Sequence, residues 1–175
     1  MTRDKSLMHM IGGYSDQLED DWALPTTQGI GLNGTDTEQP LKIENKIKTS
    51  SYASAVSLSN GDVLLTGGRT NSNSVFRLIG PDLVVGIVRS KMKHGRYGHA
   101  SSVVVLGQKE HVIVAGGWDK RIPGRIHTSV EIYSNELNQW HPLPELPTAR
   151  VFFNLQVISY LVEYTWDKTV SLFVF

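Results

Sequence analysis

The sequence predicts an all-β protein, and three observations support this class. No sustained stretch places apolar residues at the i, i+3, i+4, i+7 spacing of an amphipathic helix. Short runs rich in β-branched residues recur at a spacing of about ten residues and are separated by turn-forming residues. Two long stretches repeat the same order of strand, turn, strand and glycine pair. Together these features are typical of sheets built from short strands.

Eight strands are predicted from these runs. They cover residues 53–58, 63–66, 75–79, 83–88, 101–106, 111–115, 129–133 and 151–158. Residues 59–62 between the first two runs contain Asn60-Gly61, and these residue types tolerate the positive φ of a type I′ turn. Residues 107–110 connect the fifth and sixth runs in the same way. Both connections therefore indicate hairpins.

A repeat sets the organisation of the chain. The segment from Tyr97 to Gly117 aligns with the segment from Tyr52 to Gly68, each consisting of a strand, a turn and a second strand. Both copies end in a glycine pair, and the two pairs are 49 residues apart. A third pair, Gly12-Gly13, lies 55 residues before the first of these. The periodicity predicts a protein assembled from similar units.

The second copy resembles a kelch repeat, in which an apolar strand and a glycine pair are followed by a spaced tyrosine and tryptophan. Tyr133 and Trp140, with six residues between them, stand at these positions after the glycine pair. The first copy departs from the pattern, with Leu78 at the tyrosine position. The resemblance implies four-stranded antiparallel blades of a kelch-type β-propeller. The structural repeat residues it implies are Gly12, Gly13, Gly67, Gly68, Gly116, Gly117, Tyr133 and Trp140.

The resemblance also divides the chain. Residues 1–50 are expected to be a degenerate or partial blade with a long polar loop, 51–96 a degenerate repeat, 97–148 a well-matched repeat, and 149–175 the start of a further, truncated or atypical blade. Propellers typically have 4 to 8 blades, and repeats of roughly 50 residues give about three and a half. We therefore expect a partial or open propeller. A homodimer that closes one ring, and a fragment of a longer kelch protein without independent function, are the alternatives.

Composition excludes several classes of function. The 17 basic and 17 acidic side chains leave no net charge for holding nucleic acid. The absence of cysteine excludes disulfides, cysteine zinc sites and thiol nucleophiles. The most apolar region, residues 151–175, is interrupted by charged and polar residues, so no membrane span is predicted. Residues 1–11 lack the apolar stretch of a secretory signal, and a cytoplasmic location is expected.

Two further patterns do not predict a cofactor or a metal. Residues 29–34 spell G-x-G-x-x-G, but no clear strand precedes them and residues 35–40 cannot open a helix, so a mobile glycine-rich loop is expected. The six histidines lack the H-x-x-x-H spacing of a metal site on one element. We therefore expect no cofactor and no metal.

The candidate binding residues come from the resemblance, because the loop after each glycine pair and the loop between blades line the peptide-binding rim of similar proteins. Carried onto this chain, that rim comprises Arg69, Asn71, Asn73, Trp118, Asp119, Lys120, Arg121 and Arg125, with Arg96 and Arg150 at the blade junctions. Arginine offers a planar fork to carboxylates, and an exposed tryptophan offers apolar contact area. Arg96 and Arg150 stand at equivalent repeat positions, which is equally consistent with a structural contact.

The function expected from this pattern is a non-enzymatic protein–protein interaction module, a scaffold or adaptor that binds a protein or peptide through its loops. The alternative is a kelch-like enzyme acting on sugars, since similar propellers include copper-radical oxidases and sialic-acid epimerases. The absence of cysteine excludes the tyrosine–cysteine radical site of the oxidases. An epimerase-like site would need polar and charged groups converging on a central channel.

Overall fold

The structure is a computed structural model that describes residues 7–11, 26–31, 41–42, 51–69, 72–79, 84–87, 90–157 and 173–174. All strand pairs in these ranges are antiparallel, and no helix occurs within them. The predicted all-β class is confirmed.

Fifteen strands form in the described part of the chain. They are β1 (Leu7–Ile11), β2 (Thr26–Gly31), β3 (Leu41–Lys42), β4 (Ser54–Ser57), β5 (Val63–Thr66), β6 (Val75–Ile79), β7 (Val84–Ile87), β8 (Arg96–Tyr97), β9 (Ala100–Leu106), β10 (Lys109–Ala115), β11 (Trp118–Asp119), β12 (Val130–Ser134), β13 (Gln139–Leu143), β14 (Leu155–Gln156) and β15 (Phe173–Val174). The order β1-β2-β3 makes sheet 1, β4-β5-β6-β7 makes sheet 2, and β9-β10-β12-β13 makes sheet 3. β11 pairs with β8, and β14 pairs with β15. Sheets 2 and 3 are thus successive four-stranded meanders, as the blades of an open propeller require.

Two of the strands that the sequence did not predict, β2 and β13, have physical explanations. β2 includes Gly29 and Gly31, so the expectation of a glycine-rich loop is wrong at these residues, where pairing with β1 imposes an extended backbone. Residues 32–34 of that motif lie outside the described part. β13 contains Pro142, which has no N–H to donate, but β13 is an edge strand of sheet 3 and tolerates it. In both strands, hydrogen bonding to neighbouring strands outweighs the low strand propensity of glycine or proline.

Strand register corrects the alignment of the two repeats by one residue. Ser54 pairs with Thr66 just before the first glycine pair, and Ala100 pairs with Ala115 just before the second. Ser54 is therefore equivalent to Ala100, and Tyr52 is equivalent to Gly98 rather than to Tyr97. The sequence alignment matched Tyr52 to Tyr97 because both are tyrosines. The backbone pairing, however, determines which residues of the two repeats are equivalent.

Each glycine pair bonds to the chain segment that leads into the next sheet. Gly68 N–H donates to the Arg96 carbonyl oxygen at 2.9 Å, and Gly117 N–H donates to the Arg150 carbonyl oxygen at 2.8 Å. All four glycines have positive φ, between 63° and 104°, which residues with a Cβ rarely adopt. The same contact therefore recurs at two successive junctions, and it makes Arg96 and Arg150 equivalent.

Apolar residues cover both faces of sheet 3. On one face Val112, Val114 and Tyr133 pack against Leu64 and Val75 of sheet 2. On the other face Ile113, Val130 and Ile132 pack against Leu146 and Leu155 of the following segment. Each sheet thus completes its core with its neighbour, as expected for stacked repeat units.

Tyr133 and Trp140 lie on sheet 3 with ring centroids 5.1 Å apart. The Tyr133 hydroxyl donates to Asn138 Oδ1 at 2.9 Å, while burial raises the pKa of Tyr133. The two rings contribute a large apolar area to the contact with sheet 2, because Trp140 also packs against that core.

Candidate functional site

The described residues among those predicted to bind a partner gather at one end of sheets 2 and 3. At this end β5 and β10 finish, the loops after the glycine pairs begin, and the chain crosses from one sheet to the next. We call it the junction end and define it by residues 51–53, 67–69, 72–74, 90–99, 116–131 and 144–154. The opposite end, which we call the turn end, comprises the hairpin residues 58–62, 107–110 and 135–138. The candidate site lies at the junction end.

Two of the predicted loops are joined directly to the blade junctions. Trp118 and Asp119 form β11, which pairs with Tyr97 and Arg96 of β8. Arg69 N–H donates to the Ser51 carbonyl oxygen at 2.9 Å. The predicted side chains that are exposed at this end are Arg69, Lys120, Arg121, Arg125 and Arg150. Asn73 is half-buried, its carbonyl oxygen accepts from Met92 N–H, and Asn71 lies outside the described residues.

Arg96 occupies a different environment from the other predicted arginines, because its side chain is completely buried. Its guanidinium donates to the carbonyl oxygens of Gly116 and Ser129 at 2.8 and 2.9 Å, and to Glu131 Oε1 at 2.6 Å. Burial lowers the pKa of Arg96, and the Glu131 carboxylate opposes that shift. Arg96 is a structural residue of the junction, and its side chain cannot reach a partner.

Glu131 extends this buried ion pair to the backbone. Its carboxylate accepts from Lys93 N–H at 2.7 Å and from His94 N–H at 3.1 Å. The pair therefore ties the segment that enters sheet 3 to strand β12 of the same sheet. Arg150 is equivalent to Arg96 in backbone position, but its side chain is exposed. The two junction arginines consequently have different roles.

Four aromatic side chains meet at the junction end, and we call them the junction aromatic cluster: Tyr52, Tyr97, Trp118 and Phe152. Ring centroids are 6.4 Å apart for Tyr52 and Tyr97, and 5.4 Å for Tyr97 and Trp118. Phe152 closes the cycle at 4.9 Å from Trp118 and 5.4 Å from Tyr52. Tyr52 and Phe152 remain 41% and 59% exposed. Sequence analysis predicted only Trp118 of these four residues.

The backbone holds the two exposed rings in an uncommon conformation. Tyr52, Gly98 and Phe152 stand at equivalent positions of successive units, with φ values of 62°, 62° and 50°. Gly98 N–H donates to the Tyr52 carbonyl oxygen, and Phe152 N–H donates to the Gly98 carbonyl oxygen, both at 2.8 Å. A non-glycine residue in this region costs about 1–2 kcal/mol, and such strain clusters at functional sites. Aligning the repeats by strand register, rather than by the shared tyrosine, would have identified Tyr52 and Phe152 as equivalent residues.

Charge is unevenly distributed between the two ends. The described charged side chains of the junction end are the cations Arg69, Lys91, Lys93, Arg96, Lys120, Arg121, Arg125 and Arg150 and the carboxylates Asp119, Glu131 and Glu145. The described charged residues of the turn end are Asp62, Glu110, Glu136 and Lys109; Lys109 pairs with Glu136, and Asp62 pairs with Arg77 of β6. Eight of the eleven described Lys and Arg residues therefore lie at the junction end, while eleven of the seventeen Asp and Glu residues of the sequence lie outside the described part.

A cavity of about 430 Å³ lies beside the first strands of successive sheets. Its polar lining comes from Ser54, His99, Ser101, Asn154 and Gln156, and the hydroxyls of Ser54 and Ser101 are 2.5 Å apart. No carboxylate lines the cavity in the described part of the chain. Its described lining offers neutral hydrogen-bonding groups and no paired acid and base for sugar chemistry.

His99 in this cavity wall gives a testable pH dependence. Burial, reinforced by the Arg96 charge, lowers the pKa of His99 from 6.5 to about 3. Between these values the unfolded chain binds a proton that the folded chain does not, so stability falls as pH decreases through this window. We expect wild-type protein to lose roughly 1 kcal/mol per pH unit more than His99→Gln between pH 6 and 4. Urea unfolding at a series of pH values measures this difference, and equal slopes would contradict it.

The described residues form a series of antiparallel sheets, and each glycine pair bonds to the segment that leads into the next sheet. The sheets are not closed into a ring within these residues. This is the architecture of an open propeller-type repeat protein. Residues 96–147 match the family model of the Kelch motif, so this segment of the chain is a kelch repeat. Kelch repeats are generally non-catalytic interaction modules. No curated protein matches the chain.

Two further observations concern membranes and metals. Among the described residues, no helix is long and apolar enough to cross a membrane. The same residues contain no group of three or more histidine and carboxylate side chains that could hold a metal ion.

Proposed function

We propose that the chain is a protein-interaction module that binds a partner protein or peptide through the junction aromatic cluster and the loops beside it. The observation that carries this proposal is the exposure of Tyr52 and Phe152, two aromatic side chains held together at positive φ on a blade junction. Aromatic rings that are exposed to solvent on a strained backbone do not stabilise the folded chain. A partner that covers them would bury this apolar area.

Aromatic side chains are the residues that most often dominate binding energy at interfaces. Trp118 contacts the rings of both Tyr97 and Phe152, so the cluster presents one continuous surface rather than four separate side chains. The backbone that carries the rings is also held by β8, β11 and the junction hydrogen bonds, so it does not have to be ordered on binding. This preorganisation favours a specific partner.

The proposed interface differs from the sequence prediction in its members. It keeps Arg69, Trp118, Asp119, Lys120, Arg121, Arg125 and Arg150 and adds Tyr52, Tyr97 and Phe152. Arg96 is left out because it is buried. Asn71 and Asn73 stay predictions from the repeat pattern, as do the division into blades at residues 50, 96 and 148, the homodimer and the cytoplasmic location.

The proposal is tested by selecting binders from a displayed library of random linear peptides and measuring their affinity for variants. We expect Trp118→Ala and Phe152→Ala each to weaken the selected peptides by about thirtyfold, which corresponds to the roughly 2 kcal/mol of an interface hot spot. Leu137→Ala is the matched control, because Leu137 is an apolar side chain that is 61% exposed at the turn end. This control is expected to bind as wild type does.

Thermal unfolding of each variant shows whether a loss of binding reflects a loss of fold. Peptides whose affinity falls with Leu137→Ala but not with Phe152→Ala would place the interaction at the wrong end and contradict the proposal. A library from which the folded wild-type protein enriches nothing would contradict it as well.

A further inference from the structure

We propose that the cavity beside the first strands of successive sheets binds a small uncharged polyol, a ligand that carries several hydroxyl groups. The cavity has a volume of about 430 Å³, within the range of roughly 300–1,000 Å³ that is typical of small-molecule sites. None of the four residues of the junction aromatic cluster lines it. This site is therefore distinct from the proposed partner surface and does not depend on it.

Three successive units contribute equivalent positions to the cavity. The strand register and the junction hydrogen bonds make Ser54, Ala100 and Asn154 equivalent to one another. The cavity lies where the three strands that follow the junctions begin. Its described lining comprises residues 54–55, 99–101 and 153–156. The repeat itself thus builds the site.

The cavity meets these strands at their edges. Ser54 and Ala55 are consecutive residues of β4, and Ala100 and Ser101 are consecutive residues of β9. Consecutive side chains of a strand point to opposite faces of the sheet, so a cavity that contacts both lies against the edge of the strand. β4 and β9 are terminal strands of sheets 2 and 3 in the described part of the chain. Such an edge presents backbone N–H and carbonyl groups to a ligand.

The side chains that line the cavity are polar but uncharged. The hydroxyls of Ser54 and Ser101 are 2.5 Å apart, and the exposed Asn154 and Gln156 each offer a carboxamide that can donate and accept. No Lys, Arg, Asp or Glu belongs to the described lining. Burial, reinforced by the Arg96 charge, lowers the pKa of His99 to about 3, so this ring is also neutral near pH 7.

His99 adds an unsatisfied acceptor to the cavity wall. Thr66 Oγ1 donates its only proton to the Ser54 carbonyl oxygen at 3.2 Å, so its 2.8 Å contact with His99 Nε2 requires Nε2 to be the donor. The neutral ring has no second proton, and its Nδ1 is therefore an acceptor. This buried Nδ1 has no hydrogen-bond partner among the described residues, which costs free energy. A ligand hydroxyl that reached it would offset that cost.

Charged and apolar ligands suit this lining less well. A charged ligand would lose hydration without meeting an opposite charge in the described lining. An apolar ligand would cover hydroxyl, carboxamide and backbone groups and leave them unpaired. A hydroxyl both donates and accepts, so a polyol can pair with the side chains and with the strand edges at once. The half-buried Phe153 ring also offers an apolar surface to its C–H groups.

Saturation-transfer NMR of the full chain with a defined panel tests this site. The panel contains sorbitol and myo-inositol, together with charged analogues: anionic gluconate and cationic glucamine for sorbitol, and inositol 1-phosphate for myo-inositol. We expect at least one uncharged polyol to bind with a millimolar Kd, and its charged analogues to bind at least about tenfold more weakly. Its affinity should be the same at pH 5 as at pH 8, because His99 stays neutral at both.

Variants of the lining locate the bound polyol. Asn154→Ala and Ser101→Ala are each expected to weaken binding about fivefold, since each removes one neutral hydrogen bond. Ala55→Phe, at an exposed position of the lining, is expected to fill the cavity and abolish binding. Ser57→Ala is the matched control, because Ser57 is an exposed serine of the same strand that does not line the cavity. Thermal unfolding of each variant shows whether the fold is kept.

The outcomes separate this site from the partner surface. No saturation transfer to any uncharged polyol from folded wild-type protein would overturn the site. Binding that survives both Ala55→Phe and Asn154→Ala would overturn its location, and tighter binding of a charged analogue would overturn the uncharged ligand. Trp118→Ala is expected to leave polyol binding unchanged, so a failure of the peptide selection and a failure of polyol binding are distinguishable results.

Discussion

Arg96→Met is expected to lower the free energy of unfolding by about 3–5 kcal/mol, because it leaves Glu131 as an unpaired buried charge. The guanidinium also satisfies the carbonyl oxygens of Gly116 and Ser129, and both would lose a hydrogen bond. A domain of ordinary stability has only about 5–15 kcal/mol to lose, so the variant is expected to be close to unfolding at room temperature. Urea unfolding monitored by tryptophan fluorescence measures the change.

Lys109→Met is the matched control for this prediction. Lys109 and Glu136 form an equally short ion pair, but their side chains are 58% and 60% exposed. Exposed pairs contribute about 0–1 kcal/mol, so this variant should unfold almost as wild type does. If Arg96→Met were no more destabilising than Lys109→Met, the buried ion pair would not hold the junction, and Arg96 would return to the list of candidate binding residues.

Gly116→Ala is expected to cost about 2–4 kcal/mol. The residue has a φ of 64°, and an alanine in that conformation loses about 1–2 kcal/mol. A Cβ would also lie 2.5 Å from the Arg150 carbonyl oxygen and 2.9 Å from the Phe153 ring. The carbonyl belongs to the backbone and cannot rotate away, so the junction between sheet 3 and the following segment must shift. Thermal unfolding and peptide binding should both respond.

Gly107→Ala separates the two contributions to that cost. Gly107 has a similar φ of 56°, but an added Cβ meets no atom within 4 Å. It should therefore lose only the conformational part, about 1–2 kcal/mol, and keep its peptide affinity. Equal destabilisation by the two substitutions would show that the glycine pair is required for its dihedral angles alone and does not permit a close approach.

Much of the fold could be predicted from the sequence because its signals are local. Alternating β-branched runs and the Asn60-Gly61 turn indicated β5 and its hairpin with β4, and the glycine pair with Tyr133 and Trp140 indicated sheet 3. β13 was missed because its proline is acceptable only at an edge, and edge position is a property of the assembled sheet. β2 was missed because pairing with β1 outweighs the low strand propensity of its glycines.

The candidate site was harder to predict, because it depends on which residues meet across a junction. Trp118 was identifiable from its position after a glycine pair, whereas Tyr52 and Phe152 become equivalent only once the strand register is known. Arg96 and Arg150 look alike in sequence and differ in burial: Arg96 is buried against Glu131 of β12, whereas Arg150 is exposed.

Hydrogen exchange of the wild-type protein, with and without an enriched peptide, tests the central claim that partners bind at the junction end. We expect the bound peptide to slow exchange of backbone amides at residues 96–99, 117–126 and 150–153, while residues 59–62 and 135–138 at the turn end exchange as in the free protein. Protection confined to the turn end, with unchanged exchange around Trp118 and Phe152, would contradict the account.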